Sequence, residues 1–348
     1  MNNTEDRGTV KWGILGCARI AANALIPGMM RSSNCEVSAI ASRSRDKAEE
    51  FAERFGIPCI YENYEQLLSD PEIQAVYIPL PNALHKPWTI AAAEKAKHVL
   101  CEKPLACNAE EAQQMRSACE QNGVLLMEAF AQRFHPQNHQ VKQLIDSGRI
   151  GKIVRITSSM SRSPYPQDDI RMNKDLCGGV LMDMGCYCIS TARFFVGTEP
   201  NSVFATQDMS EGGVDIRTTA TVVFPAGEIL QFDTNLYLSE GHFEQGTTVY
   251  GQSGNIYIQQ GFSQVETHRF GKLVETPLVI SDHLVGAQAS ETIRITPVHQ
   301  WQLEAEYFAD CILQNRRIDY PGEDGVANMR VIDAIVRSAR AGKSVDLR

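Results

Sequence analysis

The first 130 residues alternate short apolar runs with segments of helical periodicity. The pattern predicts strands at 10–15, 36–41, 75–80, 98–101 and 124–128, helices at 18–30, 45–55, 84–95 and 109–122, and a weaker strand–helix unit at 59–69. Continuous apolar strands separated by helices are typical of a parallel sheet that is covered on both faces. This part of the chain is therefore predicted to be α/β.

The pattern changes after about residue 150. Segments rich in Thr, Val, Ile and Tyr predict strands at 152–160, 216–224, 228–238, 247–250, 255–260 and 264–269. Turn sequences such as Pro225-Ala226-Gly227 separate them, which indicates an antiparallel meander. A helix at 180–195, ended by Gly197, and two amphipathic helices near the end of the chain complete an α+β pattern.

Composition and charge narrow the function classes. The 348 residues include 42 acidic and 33 basic side chains, for a net charge of −9, which argues against non-specific binding of nucleic acid or anionic membranes. No apolar run approaches the roughly 20 residues of a membrane helix, and the polar residues 1–8 have no signal-peptide core. We therefore expect a cytoplasmic chain with no nucleic-acid or membrane partner.

The ten cysteines do not indicate a metal site. They include no Cys-x-x-Cys pair, and no His-rich motif accompanies Cys186 and Cys188. Most of them lie among apolar neighbours and are interpreted as small core residues. No metal is expected.

The first predicted strand leads directly into Gly16-Cys17-Ala18-Arg19-Ile20-Ala21, which opens the first helix. Dinucleotide-binding folds carry G-x-G-x-x-G/A at this position. Gly16 permits the tight turn, and the helix start presents N–H groups to a pyrophosphate. Ala18 replaces the second glycine, so a tight turn without a ligand is the alternative. The residues predicted to bind the cofactor here are Gly16, Ala18, Arg19 and Ile20.

The end of the second predicted strand bears on the choice of cofactor. NAD-selective folds usually place Asp or Glu about 20 residues after the fingerprint, where it binds the ribose 2′-OH. Here the sequence is Ser42-Arg43-Ser44, without an acid. The Arg43 guanidinium suits a 2′-phosphate, and the two serine hydroxyls can add hydrogen bonds. The sequence predicts NADP(H), the alternative being that Arg43 is a solvated residue at a helix start.

These motifs predict a Rossmann dinucleotide-binding domain in residues 1–132. Residues 133–348 are predicted to form an α+β domain with a large, mostly antiparallel open sheet, and its C-terminal helices are able to pack back on the first domain.

The Glu102-Lys103-Pro104 sequence follows the predicted strand 98–101 directly. Open α/β sheets place ligand-handling groups at the carboxyl ends of their strands. No tyrosine is followed four residues later by lysine, so the Tyr-x-x-x-Lys pair of short-chain dehydrogenases is absent.

Six motifs together carry a family resemblance: residues 16–21, 81–85 (Pro-Asn-Ala-Leu-His), 102–104, 128–130, 133–136 and 178–187. In this combination and order, the chain resembles the glucose–fructose oxidoreductase/inositol dehydrogenase (Gfo/Idh/MocA) family. With Tyr187 and Ser42-Arg43-Ser44, it is most similar to the branch of NADP-dependent aldose dehydrogenases and dimeric dihydrodiol dehydrogenases.

The resemblance implies hydride transfer between a nicotinamide and a sugar, polyol or cyclic alcohol or ketone. Tyr187 is the expected acid/base, assisted by Lys103, because a phenol releases its proton near neutral pH only with help from a nearby cation. Asp183, four residues before Tyr187 and on the same face of an α-helix, is expected to orient the substrate hydroxyl or Lys103. The alternatives are a core tyrosine, a surface lysine and a helix-start carboxylate.

The resemblance also implies further binding residues. Arg171 is expected to bind substrate together with Asp183 and Tyr187, although Cys177 replaces a glycine that many relatives carry in this loop. For His85, the alternative is a hydrogen-bonded histidine at a helix start. The residues expected on the nicotinamide side are Leu80, Pro81, Asn82, His85, Glu102 and Lys103.

The expected partners are a small sugar, polyol or diol and further copies of the chain, as a homodimer or homotetramer formed through the sheet of the second domain. One alternative is a glycosidase of the same family that cycles hydride on bound NAD, which Arg43 disfavours. The other is a non-catalytic nucleotide-binding regulator, which would have no reason to retain Lys103, Asp183 and Tyr187 together.

Overall fold

The structure is a computed structural model that describes residues 8–260, 262, 277–282 and 290–347. These residues form two compact units. The first contains residues 8–131 and 299–326, and the second contains the remaining described residues, from 132 to 298 and from 327 to 347. The strand predicted at 264–269 lies outside the described residues.

A six-stranded parallel sheet lies at the centre of the first unit. Its strands are β1 (Val10–Leu15), β2 (Cys35–Ala41), β3 (Cys59–Tyr61), β4 (Ala75–Ile78), β5 (His98–Glu102) and β6 (Leu126–Ala129). They lie in the order β3-β2-β1-β4-β5-β6, and every neighbouring pair is parallel. The strand order reverses between β1 and β4, which is where open α/β sheets bind their ligands.

Helices connect these strands. A π-helical turn (Ala21–Leu25) leads into α1 (Ile26–Met29), and a 3₁₀ turn (Asn82–Leu84) precedes α4. Ser44, Asn63 and Asn108 each accept a hydrogen bond from the backbone N–H three residues ahead, so side-chain caps start α2, α3 and α5. The remaining helices of this stretch are α2 (Arg45–Phe55), α3 (Tyr64–Ser69), α4 (His85–Glu94) and α5 (Ala109–Gln121).

The second unit contains a large open sheet. In the described residues its strands are β7 (Ile153–Arg162), β8 (Ser202–Met209), β9 (Asp215–Val223), β10 (Ile229–Asn235), β11 (Phe243–Gly251), β12 (Gly254–Ile258), β13 (Leu278–Asp282), β14 (Ser290–Ile293) and β15 (Val345–Asp346). They lie in the order β14-β13-β12-β11-β7-β10-β9-β8-β15. The β7–β10 pair is parallel and the other described pairs are antiparallel, so the sheet is not the simple meander that the turns suggest.

Helical segments complete the chain. A second π-helical turn (Leu181–Gly185) leads into α7, which ends at Gly197 in the left-handed conformation, as predicted. The others are a 3₁₀ turn at Ala131–Phe134, α6 (Pro136–Asp146), 3₁₀ turns at Ile170–Met172 and Lys174–Leu176, α7 (Cys186–Val196), α8 (Gln300–Leu313) and α9 (Gly322–Ala341). A parallel Rossmann-type sheet and a mostly antiparallel open sheet confirm the predicted fold class.

Candidate active site

The turn after β1 is shaped as a dinucleotide-binding turn requires. Gly16 has φ +109°, a value that favours glycine, and its N–H donates to the carbonyl of Ala41 at 2.8 Å. A Cβ on Gly16 would lie 2.9 Å from Leu80 Cδ2, so the β1 and β4 ends meet closely here. Ala22 N donates to Ala18 O at 3.2 Å, so the helix starts immediately after the turn. The groups at this helix start can meet a phosphate.

The end of β2 presents an exposed arginine. The Arg43 side chain is exposed and forms no ion pair within the described part of the chain, whereas Ser42 and Ser44 are half-buried. The Ser42 hydroxyl accepts from Ser44 N at 3.2 Å, and the Ser44 hydroxyl caps α2. The Arg43 guanidinium is therefore a charged group at this edge that a ligand in solution can reach.

Tyr64 is a residue at this edge that sequence reasoning missed. It is 7% exposed and packs edge-to-face on Trp88, with ring centroids 4.7 Å apart. Its hydroxyl would be 3.7 Å from a Cβ on Gly16. Burial raises the pKa of Tyr64, and the nearby Arg43 charge opposes that shift. No motif marks Tyr64, because only the pairing of β2 with β3 brings it here.

His85 connects two loops of the first unit. It is fully buried, with Nε2 2.8 Å from Leu80 O and Nδ1 3.0 Å from Pro104 O. A neutral imidazole carries one N–H, so it donates to one carbonyl and faces the other. Burial lowers the pKa of His85, and the carbonyl acceptors oppose this. Both ring nitrogens face backbone, which favours the hydrogen-bonded alternative over a direct cofactor contact.

The Lys103–Pro104 peptide bond is cis, and buried carboxylates support the loop around it. Glu102 accepts from Tyr77 Oη at 2.6 Å and from Lys103 N at 3.2 Å. Glu128 accepts from Leu105 N at 2.8 Å. Glu102 is 8% exposed while Lys103 is half-buried, so Glu102 supports the loop and Lys103 retains partial access to solvent.

Two glycines shape the loop that carries the second group of predicted residues. Gly179 has φ +111°, and a Cβ there would lie 2.0 Å from Asp215 Oδ1. A Cβ on Gly178 would lie 2.3 Å from Arg171 O. Asp215 is buried, which raises its pKa, and it accepts from Leu181 N at 2.9 Å and from Thr218 Oγ1 at 2.7 Å. The Gly-Gly pair therefore lets the chain pass against Arg171 and Asp215.

Asp183 is held by an ion pair and a hydrogen bond. Arg171 Nε lies 3.0 Å from Asp183 Oδ1, and the hydroxyl of Tyr165 donates to Asp183 Oδ2. Arg171 NH1 also lies 3.2 Å from Asp169 Oδ1. The structure thus brings together two predicted substrate residues, Arg171 and Asp183, and adds Tyr165, which the predicted site did not include.

Tyr187 lies in the first turn of α7, half-buried, with its ring centroid 5.7 Å from that of Phe262. Asp183 lies in the π-helical turn before it, where Cys186 N donates to Leu181 O five residues back. Asp183 and Tyr187 therefore lie in one continuous helical stretch that begins with a π turn, and that their side chains share a face stays a prediction.

The other residues predicted to bind the cofactor lie in the turns after β1 and β4. Ala18 and Ile20 are half-buried and Arg19 is exposed, while Pro81 O accepts from Leu84 N at 2.8 Å and Asn82 begins the 3₁₀ turn. Among the described residues, no group of three or more His, Cys, Asp or Glu side chains could hold a metal ion. In the same residues, no helix has both the length and the apolar character that a membrane crossing needs.

Comparison with known families decides the class of this protein. Residues 10–130 match the oxidoreductase family with an NAD-binding Rossmann fold, Gfo/Idh/MocA, and residues 138–257 match a Gfo/Idh/MocA C-terminal domain. The chain belongs to the Gfo/Idh/MocA family. The resemblance stated from the sequence motifs, and with it the prediction of an oxidoreductase, is confirmed.

Several Gfo/Idh/MocA proteins resemble this chain over almost its whole length. D-xylose 1-dehydrogenase (NADP(+)) 2 from Haloferax volcanii is 38% identical, over 97% of this chain and 99% of that protein. The structure of a 3-ketoreductase from Actinomadura kijaniata with NADP and TDP-benzene has a TM-score of 0.87 at 30% identity, covering 95% and 98% of the two chains. Aldose-aldose oxidoreductase from Caulobacter crescentus, complexed with glycerol, has a TM-score of 0.87 at 27% identity, covering 97% and 99%.

Proposed function

We propose that this protein is an NADP(H)-dependent oxidoreductase that transfers hydride between the nicotinamide and a CH–OH group of a sugar, polyol or cyclic alcohol. The observation that carries the proposal is the similarity, along 97% of the chain, to an NADP-dependent D-xylose dehydrogenase. An aldose is therefore the first substrate class to test.

The first unit fits an NADP cofactor. The turn requires glycine at position 16, because a Cβ there would lie 2.9 Å from Leu80 Cδ2, and the start of the helix that follows can present N–H groups to a pyrophosphate. The exposed guanidinium of Arg43 can bind a 2′-phosphate with two parallel hydrogen bonds. The cofactor residues of the proposal are Gly16, Ala18, Arg19, Ile20, Ser42, Arg43, Ser44, Leu80, Pro81, Asn82, Glu102 and Lys103, with His85 in a supporting role.

Oxidation of an alcohol requires that hydride leaves carbon and that a base removes the hydroxyl proton. The nicotinamide, when bound, supplies the hydride acceptor. In this proposal Tyr187 takes the proton, and the Lys103 ammonium stabilises the phenolate that does so. Asp183 accepts a hydrogen bond from the substrate hydroxyl, because each carboxylate oxygen can accept such a bond in addition to its ion pair with Arg171 or its hydrogen bond from Tyr165.

The proposal includes a homodimer or homotetramer formed through the open sheet of the second unit. Several large apolar side chains on its strands are exposed, and a second copy of the chain could bury them. These side chains are Val154, Phe204, Met209 and Tyr257.

A substrate screen tests the function. The purified protein is incubated with NADP⁺ or NAD⁺ and a panel of aldoses, inositols, diols and glycosides, and both NADPH or NADH absorbance and the release of free sugar are followed. We expect NADPH formation with at least one aldose, and a higher kcat/KM for NADP⁺ than for NAD⁺. Glycoside hydrolysis without net NADPH would instead indicate the NAD-cycling glycosidase. Tight cofactor binding without turnover on any substrate would indicate a regulator.

A further inference from the structure

We propose that Tyr165 is a positioning residue for Asp183: its hydroxyl, together with the Arg171 guanidinium, holds the Asp183 carboxylate in the one orientation that receives the substrate hydroxyl. The proposal rests on the proposed function, because Asp183 orients a substrate only if the chain is the oxidoreductase described above.

The two oxygens of Asp183 have different partners. Tyr165 donates to Oδ2 and Arg171 Nε lies 3.0 Å from Oδ1, so the carboxylate cannot rotate without losing one of the two contacts. Arg171 is itself held, because Asp169 Oδ1 lies 3.2 Å from its NH1 and also accepts from its backbone N–H at 3.0 Å. The position of Asp183 is therefore fixed from two sides.

The Tyr165 ring is fixed as firmly as its hydroxyl. It is 7% exposed and packs in an apolar cluster with Val180, Met184 and Leu236. Two guanidinium groups lie over the same ring, with Arg162 Cζ 4.0 Å and Arg171 Cζ 5.0 Å from its centroid. A ring held in this way places its hydroxyl at a defined point, which is what a positioning role requires.

The surroundings of Tyr165 keep it a hydrogen-bond donor. Burial and the negative charge of Asp183 both raise the pKa of Tyr165, and the Arg171 charge only partly opposes them. The phenol of Tyr165 therefore remains protonated near neutral pH and acts as a hydrogen-bond donor. The charge of Asp183 in turn raises the pKa of Arg171, so the cluster contains a permanent cation.

A double-mutant cycle tests the proposal, using the substrate and cofactor found in the screen. Wild type, Tyr165→Phe, Asp183→Asn and the double variant are compared for kcat, both KM values and Tm. A hydrogen bond to a charged group contributes about 1.5 kcal/mol or more, so we expect Tyr165→Phe to lower kcat about tenfold or more, with KM for NADP⁺ unchanged. If Tyr165 acts through Asp183, the double variant is no slower than Asp183→Asn alone.

Tyr250 offers a matched control, because it also lies under an arginine in the second unit, with Arg155 Cζ 4.4 Å from its ring centroid. Tyr250→Phe is expected to keep wild-type kcat. Additive losses in the cycle would overturn the proposal and leave Tyr165 a core residue.

Unchanged kcat in Tyr165→Phe, with an active wild type, would also overturn this proposal but not the proposed function. An inactive wild type would overturn both. If Tyr165→Phe does not fold, Arg171→Lys replaces it in the cycle, because it keeps the charge and loses the Nε contact. Additivity with Asp183→Asn would then overturn the two-sided hold on Asp183.

Discussion

Two arginines follow strand β2, and the structure separates their roles. Arg45 Nε lies 2.7 Å from Glu49 Oε1 on the exposed side of α2. Arg43, two residues earlier, is exposed and has no ion-pair partner in the described ranges, yet its charge reaches Tyr64 beside the Gly16 turn. We therefore propose Arg43, and not Arg45, as the residue that distinguishes a 2′-phosphate from a 2′-hydroxyl.

Arg43→Asp should reverse the cofactor preference. The change removes the donors for the 2′-phosphate and adds a like charge, so we expect kcat/KM for NADP⁺ to fall about 10- to 100-fold, equivalent to about 1.5–3 kcal/mol. We expect kcat/KM for NAD⁺ to stay the same or rise, since a carboxylate can bind the ribose 2′-OH. Steady-state kinetics with both cofactors measure this.

Arg45→Asp is the matched control for charge alone, because it makes the same substitution two residues away. It should leave the preference for NADP⁺ in place. An equal loss of kcat/KM for NADP⁺ in the two variants would show that only the overall positive charge near the end of β2 matters and that Arg43 makes no specific contact.

At the scale of elements, both motif-bearing helices begin with a π-helical turn, Ala21–Leu25 before α1 and Leu181–Gly185 before α7. Such turns are rare in proteins overall, and those that occur often lie at functional sites. The second one follows Cys177, which has the left-handed conformation (φ +58°) that glycine adopts most readily.

Gly179→Ala should destabilise the protein far more than another glycine substitution at positive φ. The new Cβ would meet Asp215 Oδ1, and moving that buried carboxylate breaks its bonds to Leu181 N and Thr218. We expect a loss of about 3 kcal/mol or more in the free energy of unfolding, measured by urea denaturation.

Gly227→Ala is the control for backbone strain, because Gly227 has φ +96° and nothing within 4 Å of its Cβ position. It should cost only about 1–2 kcal/mol. If the two variants lose the same free energy, the contact with Asp215 contributes nothing.

Local signals predicted much of the fold. The bounds of β1 and α2 are as predicted, because a continuous apolar run and a capped amphipathic helix are encoded in neighbouring residues. Strands β8, β13, β14 and β15 were not predicted, and all four lie at or next to an edge of the sheet, where a strand needs less apolar character. Helix α6 was also missed, although Pro136 at its first turn was a usable signal.

Some features of the candidate site could be predicted from local motifs, and others could not. Gly16 and Arg43 belong to short motifs whose meaning depends on their neighbours in sequence. The hydrogen-bond partners of Asp183 and Leu181 belong to no such motif. Tyr165 lies 18 residues before Asp183, and Asp215 lies 34 residues after Leu181. Contacts of this kind arise from the path of the loop past Gly178, which spacing alone does not reveal.

At the scale of the whole molecule, the proposed site residues are distributed over two units. The predicted cofactor residues, from Gly16 to Lys103, all belong to the first unit, and Arg171, Asp183 and Tyr187 belong to the second. The net charge of −9 is compatible with binding a phosphorylated cofactor because the proposed recognition depends on local groups, Arg43 and a helix start. The central claim is that Tyr187 serves as the acid/base for hydride transfer to NADP⁺.

A single-turnover measurement tests that claim most directly. Wild type, Tyr187→Phe and the control Tyr250→Phe are each saturated with NADP⁺, mixed with the substrate found in the screen, and followed by NADPH absorbance. Loss of the acid/base should slow NADPH formation in Tyr187→Phe about 100-fold or more, with the NADPH dissociation constant unchanged and the control at the wild-type rate. NADPH formation at the wild-type rate in Tyr187→Phe would contradict the account.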